Sequence, residues 1–91
     1  MAYIEILRLS KRLSEMGVKH ALEKVLDGYK ITVKKAEKCM MFIECEGSYG
    51  WLDDCIEARF GNGEYYGFLG VDNCIQLMES KGYLNESEVL K

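Results

Sequence analysis

The sequence predicts an α+β domain: a small antiparallel sheet of about three strands, packed by an N-terminal helix and two shorter helices. Three observations predict it. Ile6, Leu9, Leu13 and Met16 recur at steps of three and four, which places them on one helical face. Asp27-Gly28 stands directly before Tyr29-Lys30-Ile31-Thr32-Val33, whose apolar side chains alternate. Cys39 to Ile43 is an apolar run that passes into the alternating Glu44-Cys45-Glu46.

The first element is a helix over residues 3–16. Arg8, Lys11, Arg12 and Glu15 fall largely opposite its apolar face. Gly17 supplies the left-handed residue that ends many helices, and Val18 can fold back on the last turn. Residues 18–26 admit two readings. Val18, Ala21, Leu22, Val25 and Leu26 fit helical spacing, yet Asp-Gly between extended runs is a strong hairpin signal. The hairpin favours a strand at 20–26, and a second helix ending at Gly28 stays open.

In the next strand Tyr29, Ile31 and Val33 share one face. The strand from Cys39 to Glu46 is apolar on both faces in its first part, so a helix or a second subunit is expected over each. Gly47-Ser48-Tyr49-Gly50 reads as a sharp elbow. Residues 51–60 read as a helix. Leu52, Cys55, Ile56 and Phe60 share a face, Asp53 and Asp54 suit a first turn, and Gly61 suits the position past the end. Gly61-Asn62-Gly63 is a turn and residues 65–69 a short extended or irregular piece. A last helix spans 71–80, closed by Gly82, and the tail 84–91 is expected to fray.

The chain of 91 residues is the size of one domain, 1–91. No stretch approaches the roughly 18 consecutive apolar residues of a membrane helix. The N-terminus lacks the basic-then-apolar order of a secretory signal, so a cytoplasmic location is expected. Cys39, Cys45, Cys55 and Cys74 contain no Cys-x-x-Cys pair, so they read as small buried hydrophobes and no metal or cofactor is expected. Charge is uneven: residues 1–38 carry nine Lys/Arg against five Asp/Glu, and residues 39–91 three against ten.

The order of three short segments carries a resemblance. They are Asp27-Gly28-Tyr29-Lys30-Ile31, Gly47-Ser48-Tyr49-Gly50 before a leucine-bearing acidic segment, and Gly67-Phe68-Leu69 before the last helix. In this order the chain resembles a group of small uncharacterised phage and prophage proteins of Gram-positive bacteria. The resemblance implies a mobile-element origin, a bacterial host cell as the place where the chain acts, and a helix at 51–60. It carries no activity and no functional residues. The chain departs from the group in the short link between its second and third helices, and in Gly70 where a hydroxyl N-cap is expected.

Enzymatic readings fare poorly. A nucleophile elbow needs Gly-x-Ser-x-Gly and a histidine base; Ser48 is one position out of place, and His20 is the only histidine. The expectation is therefore a non-enzymatic accessory protein that binds a host or phage protein. Glu44, Glu46, Asp53 and Asp54 would form an acidic surface for a basic partner, with Phe42, Tyr49 and Trp51 as apolar anchors. Changing Glu44 and Asp53 to lysine should then keep the fold and lose the partner. A homodimer is a further possibility. The alternative is a small nucleic-acid-associated factor that follows phosphates with Arg8, Lys11, Arg12 and Lys19.

Overall fold

The computed structural model describes residues 4–25, 28–45 and 56–84. Its order is α1 (Ile4–Glu15), β1 (Ala21–Val25), β2 (Gly28–Lys35), β3 (Lys38–Cys45), β4 (Ile56–Phe60), β5 (Tyr65–Leu69) and α2 (Val71–Ser80). The class is α+β as the sequence predicts. The sheet has five strands rather than about three, in the order β1-β2-β3-β4-β5 with every neighbour antiparallel.

The largest correction is at 51–60, read from sequence as a helix. Ile56–Phe60 is strand β4, and 51–55 lie outside the described residues. The alternation decides it: Ile56, Ala58 and Phe60 are buried, with Glu57 and Arg59 on the other side. The acidic pair that argued against a strand, Asp53-Asp54, precedes Ile56 and lies outside the described residues. Two helices, not three, stand among the described residues. The ambiguity at 18–26 resolves as strand β1, although Gly28 is a paired strand residue opposite Val25 rather than a turn residue. Leu84, the first residue of the tail expected to fray, is buried, and 85–91 lie outside the described residues.

Both helices pack on one face of the sheet. Ile6, Leu9 and Leu13 of α1 and Cys74 and Met78 of α2 join Ile31, Val33, Met40, Phe42, Ile56 and Ala58 in one core. Each helix ends in the same six-residue closure. Gly17 (φ 77) and Gly82 (φ 79) adopt the left-handed conformation. Behind them Val18 N donates to Leu13 O at 2.8 Å and Tyr83 N to Met78 O at 2.8 Å. Val18 and Tyr83 are both buried, the apolar contact that accompanies this motif.

Strand β3 serves both helices with opposite charges. Near its C-terminal end, Glu44 accepts the Ile6 amide of α1 at 2.9 Å. At its N-terminal end, the Lys38 ammonium donates to Lys81 O at 2.8 Å, at the C-terminus of α2. An acid at a helix N-terminus and a base at a C-terminus both suit the helix dipole. The other face of the sheet carries Cys39, Met41 and Ile43 between polar rows. The half-buried Met41 and Ile43 have no helix over them among the described residues.

Candidate functional site

Strand β5 forms one edge of the sheet among the described residues, and its local chemistry is unusual. Ile56 pairs with Leu69 and Ala58 with Tyr66, so β5 holds one more residue between its pairs than β4. That extra residue is a β-bulge, a device that re-aims side chains at sheet edges. Phe68 sits in it with φ 57, left-handed backbone that a bulky residue adopts at a cost. The residue is 68% exposed.

Tyr65 is the second exposed aromatic of this strand, at 54%. It lies opposite Arg59 in the ladder, and that guanidinium stands 5.6 Å from the ring centroid. A hydrogen bond from the Tyr65 hydroxyl to the Glu57 carboxylate holds its pKa above the usual phenol range. Glu57 also meets Arg59 at 3.8 Å. A Cβ on Gly67 would come within 3.3 Å of the Tyr65 hydroxyl, so the bare glycine leaves room for the ring. Tyr65 is thus held by Arg59 and Glu57 while more than half of it stays open to solvent.

The expected partner-binding residues fare differently. Phe42 is 0% exposed in the core against Ile31 and Ala58, so it is a packing residue and not a surface anchor. Glu44 is 5% exposed and bonded to α1, so it is a helix-closing group and not part of an acidic surface. Its exchange for lysine would therefore test the fold rather than a partner. Glu46, Tyr49, Trp51, Asp53 and Asp54 lie outside the described residues, as does the elbow at 47–50.

The basic residues of α1 divide. Arg8 bonds Glu5 at 3.0 Å and Arg12 bonds Asp72 of α2 at 3.2 Å. These contacts sit in a groove of about 480 Å³ between the helices, which Glu15 also lines. Positive charge there is offset by carboxylates, which weakens it as a phosphate track. Lys19 stands apart, beside His20 and Lys34 at the β1 end of the sheet.

His20 makes a contact that sequence reasoning missed. Its Nδ1 lies 2.9 Å from Val18 O and its Nε2 2.8 Å from Ser10 Oγ. A carbonyl only accepts, so Nδ1 carries a proton and donates to Val18 O, while Nε2 and the Ser10 hydroxyl share the second hydrogen bond. The pair ties α1 to the approach of β1. Ser10 and His20 share no helical or strand spacing, so only the packed fold reveals them.

No protein-family model, curated protein or solved structure matches the chain. No helix among the described residues is long and apolar enough to cross a membrane. No cluster of three or more metal-ligating side chains occurs among them either.

Proposed function

We propose that this chain is a non-enzymatic, protein-binding accessory module of phage or prophage type, and that it binds through the β5 edge. The observation that carries the reading is the exposed Phe68 in left-handed backbone, beside a Tyr65 held by Arg59 and Glu57. Strain of this kind persists where the surrounding structure imposes it, and it clusters at functional positions. Aromatic rings fixed in advance lose little entropy on binding and dominate interface energetics. Glu57 adds negative charge to the same edge, and Glu46, Asp53 and Asp54 precede it in the chain. A basic partner surface suits that pattern, with charge setting specificity and association rate.

The test is a tagged pull-down from lysate of a Gram-positive host, with nuclease, using the wild-type chain and a Tyr65→Ser/Phe68→Ser double variant. Circular dichroism first establishes that the variant keeps the fold. The reading expects one nuclease-resistant protein with the wild type and its loss with the variant. Equal capture by both chains would contradict it, as would a catch that vanishes with nuclease.

A further inference from the structure

The exposed large apolar residues divide between the two flanks of the sheet. Tyr65 and Phe68 belong to β5, whereas Leu22 belongs to β1 and is 42% exposed. Leu7 of α1 is exposed as well. It stands one helical turn before Ser10, whose bond to His20 marks the flank of α1 nearest β1. Leu22 lies opposite the buried Ile31, so it is on the helix-bearing face of the sheet. Even so, four of the five β1 residues are exposed. The two edges also differ in backbone. Strand β5 is bulged, while β1 runs along β2 in one unbroken register from Ala21–Thr32 to Val25–Gly28. A bulge or a proline blunts an edge against further pairing, and β1 has neither. Its outer row of amides and carbonyls has no strand beside it among the described residues.

From this edge we infer that the chain pairs with a second copy of itself, β1 against β1, antiparallel and centred on Leu22. The charges of β1 select that register. A two-fold axis through an antiparallel pair sets opposite each other residues of the same face, so it must centre on one residue. Only the centres Leu22, Glu23 and Lys24 pair three or more residues of β1. A centre at Glu23 sets two glutamates face to face, and a centre at Lys24 two lysines, arrangements that destabilise a sheet. A centre at Leu22 sets Leu22 against Leu22 and Ala21 against Glu23. The Glu23 carboxylate already meets the Lys30 ammonium of its own chain at 3.4 Å. The same axis keeps the helices of both copies on one face, so the paired leucines lie in the furrow between the two α1 helices. Three ladder pairs make a small interface, which belongs to the weak, transient class, with a Kd on the order of 100 µM. The β5 edge lies across the sheet and takes no part, so this inference stands or falls independently of the protein-binding reading.

The experiment is sedimentation velocity of the purified chain across a concentration series that brackets this Kd, joined to cysteine cross-linking. The expected result is a mass that rises from monomer toward dimer and no further. Leu22→Lys, with the fold checked by circular dichroism, should stay monomeric throughout, and Tyr65→Ser/Phe68→Ser should dimerise as the wild type does. Directly opposite Cα atoms of an antiparallel pair are about 4.5–5.5 Å apart, within disulfide reach. Leu22→Cys should therefore form a disulfide dimer under mild oxidation well beyond the wild-type background. Glu23→Cys should not, because this register offsets the two copies of residue 23 by two positions. The inference is overturned by a monomeric mass at every concentration, by association that survives Leu22→Lys, or by association lost in Tyr65→Ser/Phe68→Ser. Cross-linking of Glu23→Cys in preference to Leu22→Cys overturns it as well.

Discussion

The Glu44 carboxylate accepts the amide of Ile6 at 2.9 Å, across 38 positions of sequence. A strand thereby closes the first turn of a helix that packs on it. The amide it accepts is one of the N-terminal donors that no helical carbonyl can reach. Removing the acceptor leaves that buried donor unmet. Glu44→Ala should cost about 2 kcal/mol by urea denaturation, and Glu44→Gln, which keeps an acceptor but loses the charge, clearly less. Equal losses in the two variants would mean that packing, not the bond, is what Glu44 supplies.

Lys38 gives a coupled prediction at the other helix. Its ammonium reaches Lys81 O at 2.8 Å and lies 4.8 Å from the Tyr83 ring centroid. A Cβ on Gly82 would approach that ammonium to 2.9 Å, at a backbone φ of 79. Lys38→Ala should cost about 1 kcal/mol, and Gly82→Ala about 1–2 kcal/mol from left-handed strain plus displacement of the lysine. In the double variant the losses should sum to less than the two singles, since the displaced contact can be lost only once. Strict additivity would show that Lys38 and Gly82 act independently.

Ala36 offers a gain of stability. The β2–β3 hairpin has Lys35 opposite Lys38, and Ala36 in its two-residue turn has φ 56. Such turns require positive φ, which glycine adopts without the Cβ penalty. Ala36→Gly should raise the unfolding free energy by about 0.5–1 kcal/mol, net of the entropy glycine adds to the unfolded chain. A loss of stability in thermal melts would refute this reading of the turn.

Around Glu64 the prediction concerns pH. The Asn62 amide bonds its carboxylate at 2.9 Å and the Lys81 ammonium at 2.9 Å, and these hold its pKa below the usual carboxylate value. A depressed folded pKa means the unfolded chain binds more protons in that window. The contribution is therefore present above the ordinary glutamate pKa and lost as pH falls through the folded value. The Lys81 pKa is raised chiefly by the Glu64 bond, so its share is present below the ordinary lysine pKa and fades as pH rises through the folded one. Both groups face solvent, so the effect is small. The Tm difference between wild type and Glu64→Gln should shrink toward acid pH. A difference that stays constant into the acid range would contradict the assignment.

Local patterns sufficed where one face of an element meets the core. The spacing of Ile6, Leu9 and Leu13 marked α1, and the glycines at 17 and 82 marked both helix ends, as the structure bears out. Strand β4 was misread because its five residues share Ile56 and Phe60 with a helical pattern begun at Leu52. A short strand shows too few alternations to outweigh that. Strand β5 was indistinct because its extra residue breaks the alternation between Tyr66 and Leu69. Alternation also ranked Glu44 with the acidic surface, although it shares the inward face with Phe42. Only the arrival of α1 over that face turns a strand carboxylate into a helix-closing group. The exposed pair Tyr65 and Phe68 carried no sequence signal beyond aromatic identity, because neither exposure nor the bulge is a local property.

The central claim is that the β5 edge binds a protein. Photo-crosslinking tests it most directly, with benzoylphenylalanine placed at Phe68 and, as a control, at the exposed Leu22 on the opposite edge strand. In nuclease-treated host lysate, position 68 should yield one discrete protein adduct that position 22 does not. Adducts from position 22 alone, or the same adducts from both positions, would contradict the account.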